Sequence, residues 1–312
     1  MPATRTPLDE GRWHYQHGPI DIVIGADGDA AALAAAHEAA WRRFETVLDE
    51  LVAELPLLRA PVAGPCALRG GVARRMWQAC RAVRTDFITP MAAVAGAVAD
   101  ELIGAYRRDG VARAWVNNGG DIALHLTPGR KLRVGLYADL ARLDAQQLSR
   151  PAYEGLPVDS WFDVAAAQPV RGVATSGWRG RSFSLGIADS VTVLARSAAE
   201  ADAAATVVAN AVDIADPRIE RRPANELRDD TDLGAIPVTV DVPALDPERV
   251  HEALAAGLRC ARDLRARGLI RGAALVCQGQ AATTIDNAAT PAIAAAPDPA
   301  PLNLHPARPA LA

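Results

Sequence analysis

Apolar positions along the chain change period several times, and each change marks an element. "IDIVI", Ile20 to Ile24, reads as a short strand, and from Asp29 to about Glu54 the residues Leu33, His37, Trp41, Phe44, Leu48 and Leu51 recur at helical spacing. The stretch "LPLLRAPVAGPCALRGG" breaks the pattern with prolines and glycines and predicts a long loop. A helix is expected from Val72 to about Val83, followed by another that Pro90 opens and Gly110 closes. Strands are predicted at Ala114 to Asn117, Ile122 to Leu126 and Leu132 to Leu136, then an irregular loop from Ala138 to Gln168. "RGVATSGWRGRSFSLGIADSVTVLAR" reads as strands joined by Gly and Ser, and Ala198 to about Val212 as a helix. Beyond a weakly patterned charged stretch, "DPRIERRPANELRDDTD", come a strand at Ile236 to Val240, a helix at Pro247 to Arg267 and a strand at Gly272 to Cys277.

Strands and helices do not alternate strictly, which disfavours a doubly wound nucleotide fold. The pattern predicts an α+β protein with mixed or largely antiparallel sheets packed with helices. The elements fall into two batches, about 1–137 and 169–286, expected to form two sublayers of a single domain over 1–286. An internal duplication would explain the two batches, although no clear sequence repeat accompanies them. The Pro/Ala-rich stretch 287–312 has too little bulk to offset the entropy of ordering and is expected to be a disordered tail.

Composition narrows the function classes. The 312 residues are 50% hydrophobic with a net charge of -4, and the basic residues are spread along the chain, so no nucleic-acid partner is expected. Cys66, Cys80, Cys260 and Cys277 show neither a CxxC pair nor histidines at metal spacing, and are expected to be small core residues. No window approaches the length of an apolar spanning helix, and "MPATRTPLDEGRWHY" carries neither an apolar secretion signal nor a lipid-attachment cysteine. No membrane association and a cytoplasmic location are therefore expected.

Three stretches could carry chemistry. In "VNNGGDI", Gly119 and Gly120 can take positive φ and let another group approach the backbone, with Asp121 as an acceptor at the rim. A two-residue hairpin turn explains the same residues. "GVATSGWRG" offers the hydroxyls of Thr175 and Ser176 and free N–H groups around Gly177, which could hold phosphate oxygens, though Ser and Thr are also ordinary turn residues. In "SAAEADAAATVVANAVD", Ser197 and Glu200 form a capping box, while Asp202 and Thr206 share a helical face and are hard oxygen ligands suited to Mg²⁺. Elsewhere such a pair is an ordinary helix acid and helix hydroxyl.

Together with "ITPMAAVAGAV", these motifs in this order resemble the UPF0280 family, relatives of the ApbE flavin transferases, from about Trp13 to Gly279. The resemblance implies an ApbE-like fold and, in the ApbE enzymes, Mg²⁺-assisted transfer of FMN from FAD to a Ser or Thr hydroxyl of a partner redox protein. It implies a flavin nucleotide site lined by Pro90, Met91, Asn118, Gly119, Gly120, Asp121, Thr175, Ser176 and Gly177. Asp202 and Thr206 would be the magnesium ligands, joined by a backbone carbonyl from within Ala95 to Val98. ApbE enzymes carry a "HIIDP"-like histidine after the ATSG turn, where this chain reads "GRSFSLGIADSVTV". Arg181 is the nearest ionisable replacement; it can hold a phosphate but stays protonated near neutrality.

No catalytic residue is assigned. His125 is either a strand histidine or a base near the glycine turn, and Trp115, Trp161 and Trp178 either fill core or stack on a flavin or adenine ring. Three functions stay open: an Mg²⁺-dependent FMN transferase acting on FAD, a non-catalytic flavin or nucleotide-binding module, and a different enzyme using the same cleft.

Overall fold

A computed structural model describes residues 2–83, 87–136 and 160–285. Its strands are β1 (Thr4–Pro7), β2 (Trp13–His17), β3 (Ile20–Gly28), β4 (Val111–Asn118), β5 (Asp121–Leu126), β6 (Lys131–Leu136) and β7 (Ser160–Ala165). They continue as β8 (Gly172–Ser176), β9 (Ser190–Ala195), β10 (Glu220–Pro223), β11 (Pro237–Asp241), β12 (Gly272–Cys277) and β13 (Gln280–Thr283). The longer helices are α1 (Ala30–Ala53), α2 (Gly71–Val83), α3 (Val94–Ile103), α4 (Ala198–Ala211) and α5 (Pro247–Ala266).

Nine strands pair into one sheet in the order β1-β2-β3-β4-β5-β8-β9-β12-β13, and every neighbouring pair is antiparallel. The mixed or largely antiparallel expectation resolves to an antiparallel sheet with helices. Two strands, helices, then two strands occur twice, as β2–β5 around α1 to α3 and as β8, β9, β12 and β13 around α4 and α5. The β5–β8 pairing joins the two halves into one sheet.

Strand alternation decides which residues face the helices. Ile22, Ile24, Val116, Ala123, Ala174, Val191 and Val193 are buried on the helix side. On the opposite face, Leu124, Leu126, Val173 and Leu194 are covered by Val134, Phe162 and Val164 of the β6–β7 ribbon. Helix α4 is enclosed by β8, β9, α2, α3 and α5. Its alanines other than Ala211 are buried, which leaves only a narrow partly exposed side. Ala also permits the close approach that larger side chains would block.

Several boundaries differ from expectation. Residues 160–165 form β7 and 166–168 a turn where an irregular loop was expected, because the ladder with β6 satisfies the strand's backbone; residues 138–159 of that loop lie outside the described residues. Strands β1, β2, β10 and β13 were not anticipated, since their short segments carry mixed polarity and are held by pairing, whereas β11 lies within a residue of the strand expected at Ile236 to Val240. The segment opened by Pro90 starts as a 3-10 turn, Pro90–Ala93, before α3, and ends in another at Gly104–Tyr106. Gly110, at φ +84, therefore serves the entry to β4 rather than the helix end. The 287–312 stretch lies outside the described residues.

Two carboxylates lock α3 against α4. Asp100 on α3 accepts from the N–H groups of Ala198 and Ala199 at 3.0 and 2.9 Å, in the first turn of α4. Asp202 on α4 accepts from the Gly96 N–H at 2.9 Å, in the first turn of α3. Each helix thus satisfies orphan donors of the other, with charge placed at the positive dipole end. The contact requires Gly96, because a Cβ there would run into the Ala198 carbonyl. Gly104, by contrast, has open space around the Cβ position and an ordinary helical φ.

Gly96→Ala is therefore expected to cost roughly 2 kcal/mol or more through overpacking. Gly104→Ala should be neutral or stabilising by up to about 1 kcal/mol. Urea unfolding of the two variants checks this; equal effects would show that the helix contact does not set the tolerance.

Candidate functional site

The turn between β4 and β5 is a two-residue hairpin: Asn118 pairs with Asp121, and Gly119 and Gly120 have φ +66 and +113. Positive φ at both central positions is the type I′ requirement, so the structural explanation of "NNGGD" holds in full. The turn also lies against α3. Asn118 Nδ2 donates to the Ala95 carbonyl at 3.1 Å, and Asn117 Oδ1 accepts from the Gly120 N–H at 2.8 Å. Ala95 falls within the stretch expected to supply a carbonyl to the site; the Ala97 carbonyl instead accepts from Arg75 at 3.2 Å.

Asp121 opens β5 on the face it shares with Ala123, toward the helices. Its Oδ1 accepts from the Thr175 N–H at 3.2 Å, which joins the end of β8 to the turn. Asp202, Thr206 and Asn210 recur every four residues and are the partly exposed positions of the otherwise enclosed α4 together with Glu200 and Ala211. The polar stripe marks the side of α4 that the core does not cover. Asn210 Oδ1 accepts from the Leu185 N–H at 2.9 Å, leaving Asp202 and Thr206 at the end near the glycine turn.

The electrostatics tie the segments together. Burial pushes the Asp121 carboxyl up to about 7, against the pull of the Thr175 N–H and the Arg181 charge. Asp202 is held well above the usual carboxylate range, first by burial, then by the charge of Asp121, while the Gly96 N–H pulls the other way. Asp100 is also raised by burial, opposed by its two N–H partners. Burial dominates each shift.

The sequence-predicted residues divide by what they contribute. Asn118, Gly119, Gly120, Asp121 and Asp202 come together. Thr206 stands one turn along α4 from Asp202. Thr175 brings its N–H to Asp121, but its hydroxyl meets Thr192 at 2.9 Å on the opposite sheet face. Ser176 alternates to the helix side, next to Gly177, where a Cβ would strike the Asp189 carbonyl. Pro90 is buried in the 3-10 turn with its carbonyl facing the Cys80 thiol at 3.9 Å, and Met91 is partly buried beside it.

His125 shares the Asp121 face but lies four residues along β5, roughly 13 Å away. Its Nε2 approaches the Val111 carbonyl at 3.4 Å, and burial lowers its pKa. Trp115 packs over Gly25 on the far side of the sheet, and Trp161 lies on β7 against Arg133. Trp178 alone of the three follows the β8 turn; its Nε1 is buried with no hydrogen-bond partner among the described residues.

Sequence reasoning missed Asp100, Gly96 and Asn117. A glycine and an aspartate four apart on α3 were a detectable signal for a helix contact with a polar lock. It missed Asp232 as well, whose carboxylate accepts from the Thr89 hydroxyl. Nothing local in "DDTD" points there.

The donor set suits a hard divalent cation. Asp121 and Asp202 are neighbouring, partly buried carboxylates, with Thr206 one turn along α4 and the Ala95 carbonyl held beside the turn by Asn118. Carboxylate, carbonyl and hydroxyl oxygens match Mg²⁺ chemistry.

The fold and this turn define an α+β protein with two neighbouring carboxylates, Asp121 and Asp202, beside a double-glycine hairpin. The family model described as AbpE bacteria matches residues 4–283, and the chain belongs to that family. A UPF0280 protein of Methanopyrus kandleri is 35% identical over 214 residues, 67% of this chain and 78% of that protein. One of Methanosarcina acetivorans is 33% identical over 223 residues, covering 69% and 77%. One of Methanospirillum hungatei is 39% identical over 130 residues, 41% of this chain; the match spans 47%, about half, of that relative's length. UPF0280 membership is thereby shown. Two solved structures align over 90% of the chain: an ApbE protein from Thermotoga maritima, at 12% identity and TM-score 0.47, and the flavinyl transferase ApbE of Pseudomonas stutzeri, at 16% and 0.41.

A pH dependence follows for the metal-free protein. Asp121 has a raised folded pKa, so its contribution is fully present below the unfolded value near 4 and is lost as pH rises through about 7. Asp121→Asn keeps an acceptor for the Thr175 N–H and removes the charge. Its melting temperature in EDTA should gain on the wild type between pH 4 and 8; a constant difference across that range would refute the assignment.

Proposed function

We propose that this protein binds a flavin nucleotide in the cleft between the Asn118–Asp121 turn, the end of β8 and the polar stripe of α4, with a divalent cation held by Asp202 and Thr206. The observation that carries this reading is the neighbouring, partly buried pair Asp121 and Asp202, one opening the strand after a double-glycine turn and the other on the open side of α4. Family membership supports it. Leaving two carboxylates so close without a cation is costly, and binding one relieves both.

When bound, Mg²⁺ would neutralise phosphate charge for transfer of FMN from FAD to a Ser or Thr of a partner redox protein. The chain's own residues would do the positioning. Gly119 and Gly120 admit a ligand to the backbone, Asn118 fixes the turn against the Ala95 carbonyl, and Asp202 keeps α3 and α4 in register. A second reading, a flavin-binding module without transfer, is favoured by Arg181 standing where ApbE enzymes carry a histidine, since guanidinium accepts no proton.

FAD titration with and without Mg²⁺, followed by mass analysis of the nucleotide, tests both. Tight Mg²⁺-dependent binding with FAD cleavage supports the transferase. Binding with intact FAD under every acceptor supports the module, and no flavin binding sinks both.

Asp202→Ala should abolish the Mg²⁺ dependence. It also removes a helix cap, so a loss of roughly 1–3 kcal/mol of stability accompanies it. Asp100→Asn serves as the comparison: it disturbs the same helix lock and should leave Mg²⁺ binding in place.

A further inference from the structure

The loop after β8 delivers one cation to the glycine turn. Gly177 lets the chain pass close to the Asp189 carbonyl, and the Gly180 N–H closes back on the Gly177 carbonyl at 3.1 Å. Arg181 follows directly. Its guanidinium stands where a Cβ on Gly119 would be, so that it lies on the backbone of the turn. Arg181 is exposed, and among the described residues no carboxylate is within ion-pair distance and no acceptor within hydrogen-bonding distance of it. Its charge acts on Asp121, whose own Oδ1 is already engaged by the Thr175 N–H.

The neighbouring arginines differ. Arg179 stacks over Trp178 at 4.9 Å and faces Asp189, and Arg171 is spent on the carbonyls of Ala166, Gln168 and Val170. Arg181 keeps its planar fork of donors open to solvent, close enough to Asp121 for its charge to act on that carboxylate, which neighbours Asp202. A guanidinium and a divalent cation flanking one bare backbone turn match the oxygens of a phosphate or diphosphate group.

From this placement we propose that Arg181 is the residue that reads the ligand's phosphate, and that it makes the site selective for phosphorylated over unphosphorylated ligands. The proposal rests on the ligand-binding reading of the cleft but not on the ligand being a flavin. Gly119 belongs to the same device, because any side chain there would push the guanidinium off the turn.

Calorimetric titration of wild type and Arg181→Gln with inorganic pyrophosphate plus Mg²⁺, with FMN, and with riboflavin tests it. The variant should weaken pyrophosphate and FMN by roughly 10- to 100-fold while leaving riboflavin unchanged, and Arg181→Lys should restore part of the loss. Wild-type protein that binds no pyrophosphate with Mg²⁺, a variant that binds it as tightly as wild type, or an equal loss for riboflavin would each overturn the proposal. Arg181-dependent pyrophosphate binding without any flavin binding would sustain it and defeat the flavin reading. Flavin binding indifferent to Arg181 would do the reverse.

Discussion

Two carboxylates, exchanged between two helix N-termini, set the geometry on which the rest depends. Asp100 of α3 caps α4 and Asp202 of α4 caps α3, with Gly96 giving the backbone clearance between them. A helix end buried without partners would leave donors unsatisfied, at a cost that small packing gains could not recover. The lock therefore fixes both helices relative to each other. Because α3 also holds the glycine turn through Asn118, it fixes the turn as well.

The same lock gives the Asp202 carboxyl a partner where it sits. One carboxylate oxygen accepts from the Gly96 N–H, and the residue remains on the partly exposed stripe of α4 with Thr206. A structural cap and a ligand position are then compatible in one side chain, since a carboxylate offers more lone pairs than the cap uses. The hairpin shows the same economy. Gly119 and Gly120 satisfy the turn's φ requirement and, for the same reason, leave the backbone bare under Arg181.

The chain belongs to the AbpE bacteria and UPF0280 families, and Arg181 is the cation that its own fold sets against the glycine turn. A guanidinium favours anion recognition and disfavours proton abstraction.

Much of this was legible along the chain. Helical periodicity located α1 and α4 to within a residue or two, and alternation located β5 from Ile122 onward, because both periods are local properties of backbone geometry. Motif order brought Asp121 and Asp202 into one hypothesis. Other features depended on partners distant in sequence: the short polar strands β1, β10 and β13, the diversion of the Thr175 hydroxyl to Thr192, and the capping role of Asp100. Local pattern determines which way a side chain can point, whereas what it meets there, and what that meeting does to its charge, is decided only when remote segments close around it.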